Sequence, residues 1–293
     1  MISILIPVYE ENCISLVNNL REQAKVQSEA FEILVFDDGS PTKREDNRML
    51  ASMTGVVYRE LPSNIGRSAI RNLLADAAKG DKLLFLDCDS GIVREDFLKK
   101  YSEKILTADV VCGGRIYLPK DRTEPKYMLN WKCGVERESF KNRLGDNVFL
   151  SNNFMIRKEV FQSVRFDEAI RDYGHEDTLF GFQLKRKGFR IVDTDNPVVH
   201  LQLSDFDGFM KKTVQGVQNL KTLCQTSDCK QEFAHLPLVK AYNALRKYRM
   251  VKLFGCLFSL FKSTVLRNLA SGNPSMRFFD LYKLSVFCKE DKG

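Results

Sequence analysis

Along the first 200 residues, short apolar runs rich in β-branched residues alternate with segments whose apolar positions recur at helical spacing. The apolar runs predict strands at 3–9, 32–38, 56–61, 82–89 and 109–118, of which the first two are expected to be buried. The segments between them predict helices at 12–27, 66–79 and 94–105. Strands that alternate with helices imply right-handed crossovers, so we expect an α/β fold with a mostly parallel sheet flanked by helices.

The pattern changes after residue 118. Residues 119–148 show no clear period and predict a long loop or short helices over one face of the domain, and loops of this length are usually functional. Regular structure resumes with a strand, a helix and a strand, predicted at 149–157, 176–187 and 190–194. Since residues 201–293 are predicted to be helical throughout, we expect a domain over 1–200 followed by a helical extension.

Composition and charge narrow the class of protein. With 44% hydrophobic and 11% aromatic residues among 293, the chain can bury a sizeable core, which excludes a disordered protein. Residues 1–200 carry 30 Lys and Arg against 31 Asp and Glu, whereas residues 201–293 carry 15 against 7. The net positive charge therefore belongs to the extension alone. This distribution argues against a nucleic-acid partner for the main domain and predicts an acidic partner for the extension.

The cysteine pattern bears on metal binding and on the compartment. The eight cysteines are scattered and none forms a C-x-x-C pair, so a zinc site of the usual spacing is not expected. Their low density favours reduced thiols in a cytoplasm over a disulfide scaffold. The chain begins directly with the apolar run of the first strand, so we expect no secretory signal.

One helix of the extension, 250–269, combines an apolar surface with a narrow polar stripe. Lys252, Gly255, Ser259 and Lys262 recur at helical spacing, and most other positions are Leu, Phe or Val. A transmembrane span needs about 20 apolar residues, and the two lysines interrupt this one. Three interpretations stay open: an interfacial helix that holds the protein on the inner face of an anionic membrane, a buried helix closing the main domain, or a homodimer contact.

Paired carboxylates follow two of the predicted strands. Asp87 and Asp89 alternate at the end of strand 82–89, so both would face one side of the sheet. Ligands of open α/β sheets bind outside the carboxyl ends of strands, where two such oxygens suit Mg²⁺ or Mn²⁺ holding a diphosphate. Acids there can instead cap the following helix. Of Asp37 and Asp38, one is expected in an Asx turn, and the other could accept hydrogen bonds from a base or ribose.

A third acidic pair opens the helix predicted at 176–187. Acids such as Glu176 and Asp177 are stabilised in a first helical turn by the dipole, and a carboxylate there could also accept a proton from a hydroxyl. His200 ends the apolar stretch 197–200. A lone histidine is more often structural, but its imidazole could complete a divalent-cation site.

Six short motifs occur in order on these strands and turns. They are IPVYEE at 6–11, VFDDGS at 35–40, NIGRSAIRN at 64–72, FLDCDS at 85–90, GHEDTLFGFQLKRKG at 174–188, and His200. Together they resemble the family 2 glycosyltransferases of the GT-A fold, over about residues 1–200. The resemblance implies an inverting enzyme that transfers a sugar from a nucleoside-diphosphate sugar, expected to be UDP-linked, to a hydroxyl of a saccharide or lipid-linked acceptor.

For the donor, the resemblance implies roles where residues match the family's motifs. Pro7, Tyr9 and Glu10 would lie in the loop after the first strand and receive the nucleotide base. Asp38 is similar to the aspartate that hydrogen-bonds uracil in these enzymes. Arg67 stands where the family usually places a basic residue against the diphosphate.

For the reaction centre, the same resemblance assigns a metal side and a base side. Asp89 matches the metal ligand of the D-x-D motif, and Asp87 matches the partner that orients the ribose or a metal-bound water and is itself a candidate ligand. His200 is similar to a histidine that many members use as a metal ligand, so the implied cofactor is Mn²⁺ or Mg²⁺. Asp177 matches the catalytic base, and Glu176 beside it would face the acceptor hydroxyls.

The acceptor side departs from the family's pattern. Members often have an aromatic residue and a second glycine before Glu-Asp, whereas this chain has Tyr173-Gly174-His175, which makes His175 a candidate acceptor contact. Trp131 could stack on an acceptor sugar or be a packing anchor. We expect residues 1–118 to bind the donor and residues 119–200 to form the acceptor side.

Other classes of protein are tested by the same motifs. A nucleotidyltransferase would show a glycine-rich basic loop after the first strand, and a dehydrogenase would show G-x-G-x-x-G there, whereas this chain has IPVYEE. A non-catalytic sugar-nucleotide-binding protein would sit better with a damaged D-x-D or E-D motif, and both are intact. The resemblance also implies a role in polysaccharide or glycan biosynthesis.

Overall fold

The computed structural model describes residues 1–42, 44–120, 123–140, 149–171 and 173–289. The chain divides into two compact units. The first unit comprises Met1–Leu118, Glu138–Arg171 and Glu176–Gln202. The second unit comprises Pro119–Arg137, Asp172–His175 and Leu203–Gly293.

The strands that the structure describes all belong to the first unit. They are β1 (Ile2–Val8), β2 (Phe31–Asp37), β3 (Val56–Glu60), β4 (Lys82–Leu86), β5 (Ser90–Ile92), β6 (Val110–Cys112), β7 (Arg115–Ile116), β8 (Asn153–Arg157), β9 (Ile191–Asp193) and β10 (Val198–His200). The strands predicted from apolar runs are therefore present, most of them with ends shifted by one to four residues.

Helices occur in both units. In chain order they are α1 (Ile14–Lys25), α2 (Arg44–Arg48), α3 (Arg67–Ala77), α4 (Phe97–Lys104), α5 (Met128–Cys133), α6 (Lys158–Ser163), α7 (Glu176–Arg186), α8 (Phe206–Thr226), α9 (Lys230–Ala234), α10 (Pro237–Lys247), α11 (Val251–Leu269) and α12 (Met276–Phe287). The second unit contains α5 and α8–α12, and the others belong to the first unit. The prediction of a helical extension is confirmed.

The first unit is built on a seven-stranded sheet in the order β3-β2-β1-β4-β8-β6-β9. All neighbours in it are parallel except β8, which runs antiparallel to both β4 and β6. A small sheet, β5-β10-β7, brings the chain around residue 200 next to the turn after β4. The expected α/β fold with a mostly parallel sheet is thus confirmed.

The large sheet separates two apolar layers. Ile4 and Ile6 of β1 pack in the layer that contains α1 and α4, whereas Leu5 packs in the layer that contains α3 and α7. A strand covered on both faces needs apolar residues at successive positions, which explains the unbroken apolar run at the start of the chain.

Two predicted strands have different ends in the structure. The strand predicted at 82–89 ends at Leu86, because a turn follows in which Ser90 N donates to the carbonyl of Asp87 at 3.2 Å. The strand predicted at 109–118 is divided into β6 and β7. A Cβ at Gly113 would lie 2.3 Å from the Tyr101 hydroxyl, so only glycine fits this close approach and the strand is interrupted there.

The second unit is a helical bundle with its own apolar core. Leu129 of α5, Met210 of α8, Leu269 of α11 and Phe279 of α12 pack together in it. The segment predicted as a long loop or short helices therefore contributes a short helix to this bundle. Its residues 121–122 and 141–148 lie outside the described residues.

The exposure of helix α11 excludes one of the three interpretations of the segment 250–269. Val265 and Leu269 are its buried residues, while Leu253, Leu257, Leu260 and Phe261 are exposed, like most of the helix. The interpretation as a buried helix is wrong, because the described residues leave one apolar face of α11 uncovered. Within the described ranges, every helix is too short or too polar to span a lipid bilayer.

Candidate active site

The candidate site begins at one edge of the large sheet. Parallel strands β1, β2 and β4 end at Val8, Asp37 and Leu86, so the residues that follow them lie at the same edge. In open α/β sheets this is the edge where ligands bind. The candidate residues Tyr9, Asp38, Asp87 and Asp89 all follow these strand ends.

The turn after β1 is tied to the turn after β2. Glu10 has a φ of 54°, and its N–H donates to the Ser40 hydroxyl at 2.8 Å. Its carboxylate accepts hydrogen bonds from the Thr42 N–H at 2.8 Å and from the Thr42 hydroxyl. Tyr9 beside it is 50% exposed. An exposed ring on a turn held in this way is available to a ligand.

Pro7 does not lie in the loop, as its proposed role required. It is part of β1 and pairs with Phe36 of β2. A proline is tolerated there because β4, on the other side, pairs with β1 only up to Leu5, so the missing N–H need not remove a bond of that ladder. The prediction that Pro7 is a loop residue is wrong.

Of Asp37 and Asp38, Asp37 has the expected role in a turn, and the proposed contact of Asp38 with a base or ribose stays a prediction. Asp37 Oδ1 accepts a hydrogen bond from Ser40 N at 2.7 Å and shapes the turn. The Asp38 carboxylate accepts from Ile65 N at 2.7 Å and from Gly66 N at 3.1 Å. Burial raises the pKa of Asp38 above its usual value, although these two N–H groups oppose the shift. Asp38 therefore joins the end of β2 to the start of α3.

Asp87 is bound by an arginine that the motifs did not single out. Arg71 of α3 is only 3% exposed, and its Nη2 lies 2.8 Å from Asp87 Oδ1. Arg67, the predicted diphosphate ligand, lies one helical turn earlier and is exposed. The i, i+4 spacing of the two arginines places them on the same face of the helix and is the signal that could have identified Arg71.

Asp89 lies next to His200, as predicted. Its Oδ2 is 3.2 Å from His200 Nδ1, because β10 pairs antiparallel with β5 directly after the aspartate. Burial by itself would raise the pKa of Asp89, but the hydrogen bond to His200 and the charges of Arg115 and Arg67 outweigh it and lower the pKa. Asp89 is therefore an anion at neutral pH.

A second arginine, Arg115 of β7, whose side chain is 15% exposed, was not predicted. Its Nη1 lies 3.4 Å from Glu138 Oε2, and Tyr117 donates to the same Glu138 oxygen at 2.7 Å. The charge of Arg115 acts on Asp89 and also on Asp177. No motif marks it, because its surroundings come from segments far apart in the chain.

Asp177 and Glu176 form the first turn of α7. Burial and the neighbouring Glu176 raise the pKa of Asp177 to about 7, against the hydrogen bond from Thr178 N and the charges of Arg71 and Arg115. Since Arg71 also binds Asp87, the electrostatic surroundings of the predicted base and of the D-x-D motif overlap. Glu176 Oε2 is buried and has no hydrogen-bond partner among the described residues.

The two candidate acceptor residues belong to the second unit. His175 has a φ of 68° and follows Gly174, whose φ is 103°. Gly174 O accepts a hydrogen bond from Asn219 Nδ2 of α8 at 3.2 Å. Trp131 lies in the short helix α5 and is half-buried. The proposed acceptor roles of both residues stay predictions.

The residues at the sheet edge fit a metal site in which the protein supplies only some of the ligands. Across the described ranges, no group of three or more His, Cys, Asp or Glu side chains is placed to hold a metal ion. Asp89 and His200 offer one anionic oxygen and one imidazole nitrogen 3.2 Å apart. Such a pair suits a divalent cation that takes its other ligands from substrate phosphates and water.

The family of the chain follows from its sequence. Residues 3–165, more than half of the chain, match the family model for glycosyl transferase family 2. The chain belongs to this family. This membership argues against a nucleotidyltransferase and against a dinucleotide-dependent dehydrogenase.

Two relatives are bacterial polysaccharide synthases. The chain is 26% identical over 204 residues to a hyaluronan synthase of Pasteurella multocida, a match that covers 56% of this chain and 21% of the synthase. It is also 26% identical over 238 residues to a chondroitin synthase of Escherichia coli, covering 66% of this chain and 33% of the synthase. The chain thus spans a third or less of the length of these two relatives.

The fold is shared with solved glycosyltransferases. A mannosyltransferase from Pyrobaculum calidifontis, solved in complex with GDP-Man and Mn²⁺, superposes with a TM-score of 0.62 at 15% identity, covering 100% of this chain and 88% of that chain. The likeness shows that this chain has the GT-A fold.

Proposed function

We propose that this protein is an inverting, metal-dependent glycosyltransferase that moves a hexosyl or N-acetylhexosaminyl unit from a UDP-sugar to a hydroxyl of a saccharide or glycolipid acceptor. The relatives named above are synthases of hyaluronan and chondroitin, which supports a role in polysaccharide or glycan biosynthesis. One observation carries the proposal: Arg71 binds Asp87 and its charge also acts on the half-buried Asp177, so donor-side and base-side carboxylates share their surroundings.

For the donor, the proposal uses the turns after β1 and β2. Tyr9 is exposed there and can stack on a nucleotide base, while Glu10 holds the turn through Ser40 and Thr42. Asp38 already accepts two backbone hydrogen bonds, but each carboxylate oxygen has a second lone pair that can accept from uracil. The exposed Arg67 supplies a positive charge to the diphosphate.

For the cation, the proposal assigns Asp89 and His200 as ligands. Their separation of 3.2 Å and the lowered pKa of Asp89 support this assignment. Asp87 is oriented by Arg71, so its second oxygen can bind the ribose or a metal-bound water. A bound Mn²⁺ or Mg²⁺ supplies Lewis-acid stabilisation of the charge that develops on the leaving diphosphate.

For the acceptor, Asp177 is the proposed general base. A hydroxyl is a poor nucleophile until its proton is removed, and a positioned base contributes roughly 10²–10⁴-fold to the rate. A pKa of about 7 lets the Asp177 carboxylate accept that proton near neutral pH and hold it afterwards. Glu176, with a buried oxygen that lacks a partner among the described residues, is proposed to bind the acceptor hydroxyls.

The test compares the proposed base with a matched surface aspartate. Asp177→Asn should bind nucleotide sugar as the wild type does, yet release nucleotide and transfer sugar about 10²–10⁴-fold more slowly. Asp195→Asn is the control, because Asp195 is exposed on the same unit and should leave the rate unchanged. A panel of nucleotide sugars with Mn²⁺ identifies the donor, and donor binding is measured calorimetrically with and without EDTA.

The outcomes separate the parts of the proposal. Near-wild-type turnover in Asp177→Asn would remove Asp177 as the base. Undiminished donor binding and turnover in EDTA would refute the cation and its ligands Asp89 and His200. A donor that is turned over with GDP instead of UDP as the product would correct the nucleotide and leave the mechanism standing.

A further inference from the structure

Helix α11 has two apolar faces, and the second unit covers only one of them. Phe258, Val265 and Leu269 pack into the core of the bundle with α12. On another side of the helix, Leu253, Leu257, Leu260 and Phe261 follow each other at i, i+4, i+7 and i+8, which places them on one face. We call these four residues the α11 apolar face.

This face is exposed to an unusual degree for large apolar side chains. Leu260 is 76% and Phe261 61% exposed, and Leu253 and Leu257 are about half exposed. Tyr248 and Met250, in the turn that leads into α11, are exposed as well. Single exposed apolar residues are common, but a contiguous set on one helix face marks a surface that binds a partner or a membrane.

The stretch of chain that contains the α11 apolar face carries charges of one sign. From residue 233 to residue 279 the sequence contains no Asp or Glu. The same stretch contains eight basic residues, and all of them are exposed: Lys240, Arg246, Lys247, Arg249, Lys252, Lys262, Arg267 and Arg277. Three of these, Lys252, Lys262 and Arg267, lie on α11 itself, and Arg267 lies seven residues after Leu260 on the same side. The stretch of chain that carries the α11 apolar face is therefore basic throughout, with its apolar face on one side of α11 and Lys252 and Lys262 on the polar stripe of the same helix.

We propose that the α11 apolar face docks on an anionic phospholipid bilayer, with Leu and Phe side chains inserted at the interface and the basic residues paired with lipid headgroups. A helix of this kind binds by apolar insertion and by electrostatic attraction together. Docking needs no residue of the proposed reaction centre, so it goes beyond the proposed function and is tested separately.

A second copy of the chain is a poorer occupant of this surface. A two-fold contact would bring the same basic surface of each copy together, and the stretch from 233 to 279 offers no carboxylate to compensate. Like charges placed across an interface weaken it, whereas an anionic lipid surface neutralises every one of them. The positive charge of this stretch is therefore complementary to an anionic membrane and not to a second copy of the chain.

The experiment measures co-sedimentation of the full chain with large vesicles. Wild-type protein should pellet with vesicles of phosphatidylcholine and phosphatidylglycerol, remain in the supernatant with pure phosphatidylcholine, and be released by about 0.5 M NaCl. Leu260→Glu combined with Phe261→Glu should weaken binding by about tenfold or more, since two inserted side chains are lost. Lys252→Gln combined with Lys262→Gln should weaken it by roughly fivefold for each lysine.

Matched controls carry the same changes elsewhere. Leu106→Glu changes a leucine of the first unit that is 68% exposed, and Lys25→Gln combined with Lys99→Gln removes two lysines whose side chains are 60% and 64% exposed. Both controls should bind like the wild type, and circular dichroism should show that all variants fold. Absent binding to anionic vesicles, or equal binding by the α11 variants, would overturn the proposal. A dimer that the Leu260 and Phe261 changes dissociate, without vesicle binding, would assign the face to a second copy instead.

Discussion

The two units of this protein use charge in opposite ways. In the first unit, the carboxylates of the candidate site have polar partners, as in Asp87 with Arg71 and Asp89 with His200. In the second unit, the eight basic residues between 233 and 279 are all exposed. Burying a charge is unfavourable unless a partner compensates it, so buried charges are kept only where their position matters. Exposed charges of one sign instead remain available to a large acidic partner.

One ion pair in each unit makes the contrast measurable. Arg71 and Asp87 are in contact at 2.8 Å with side chains that are 3% and 24% exposed. Arg137 and Asp280 of the second unit are also in contact at 2.8 Å, but their side chains are 23% and 55% exposed. Since the distances are equal, any difference in their contribution to stability reports the difference in solvent screening.

The largest expected effect is on the buried pair. Arg71→Met should lower the free energy of unfolding of the first unit by about 3–5 kcal/mol, because Asp87 loses the charge that compensates it in that pair while staying largely buried. Loss of the contact between the Arg71 guanidinium and the Phe166 ring, 5.6 Å apart, adds to this. Urea denaturation followed by circular dichroism measures the change.

Arg67→Met is the matched control, one turn earlier on the same helix. Arg67 is exposed, so its replacement should leave the unfolding free energy within about 0.5 kcal/mol while raising the KM for the donor. Equal losses of stability in the two variants would contradict the distinction between the buried, positioning arginine and the exposed one.

The sequence anticipated the fold where burial decides the residue type. Apolar runs located β1 and β2 closely, because strands covered on both faces must be apolar. The half-exposed edge strand β3 was also located, from its β-branched and aromatic residues. The sequence placed the end of β4 three residues too late. The alternating pattern of Asp87 and Asp89 is compatible with a strand, although the two residues lie in the turn that follows β4. The break at Gly113 depends on contacts with Tyr101, which no local pattern contains.

The sequence anticipated only those parts of the candidate site that belong to a recognisable motif. The neighbourhood of Asp89 and His200 followed from the resemblance and is present in the structure. The role of Arg115 could not be predicted, because Glu138 and Tyr117 meet it through tertiary packing. The same limit holds for α11: its apolar and polar positions were visible in the sequence, but which face the bundle covers is a property of packing.

The next expected effect is on the pH dependence of kcat/KM. With a pKa of about 7, Asp177 is protonated as the pH falls below 7, so kcat/KM should drop about tenfold per pH unit, or roughly a hundredfold by about pH 5. Raising Mn²⁺ should leave this limb in place, since the cation competes with protons at its own ligands and not at Asp177. A limb that ends near pH 4, or that shifts with Mn²⁺, would contradict the assignment.

The raised pKa of Asp177 also affects stability, with a defined sign. The folded protein holds this pKa above its ordinary value of 3.8, so folding disfavours the charged form. Stability is therefore lost as the pH rises from about 4 through 7, by about 1.4 kcal/mol for each pH unit between the unfolded and the folded pKa. Asp177→Asn should for this reason unfold at a higher temperature than the wild type at about pH 8, and at a similar temperature near pH 4. Thermal unfolding followed by circular dichroism at the two pH values measures the difference.

The smallest expected effect is on the exposed pair of the second unit. Asp280→Asn should lower the free energy of unfolding by only about 0.2–1 kcal/mol, because water and salt screen a pair whose carboxylate is 55% exposed. About 0.5 M NaCl should remove most of that difference, whereas the effect of Arg71→Met should persist in salt. Urea denaturation of both variants at low and high salt provides the comparison. A salt-resistant loss of about 3 kcal/mol in Asp280→Asn would show that both units stabilise charge by burial, and the contrast between them would then rest on the basic surface around α11 alone.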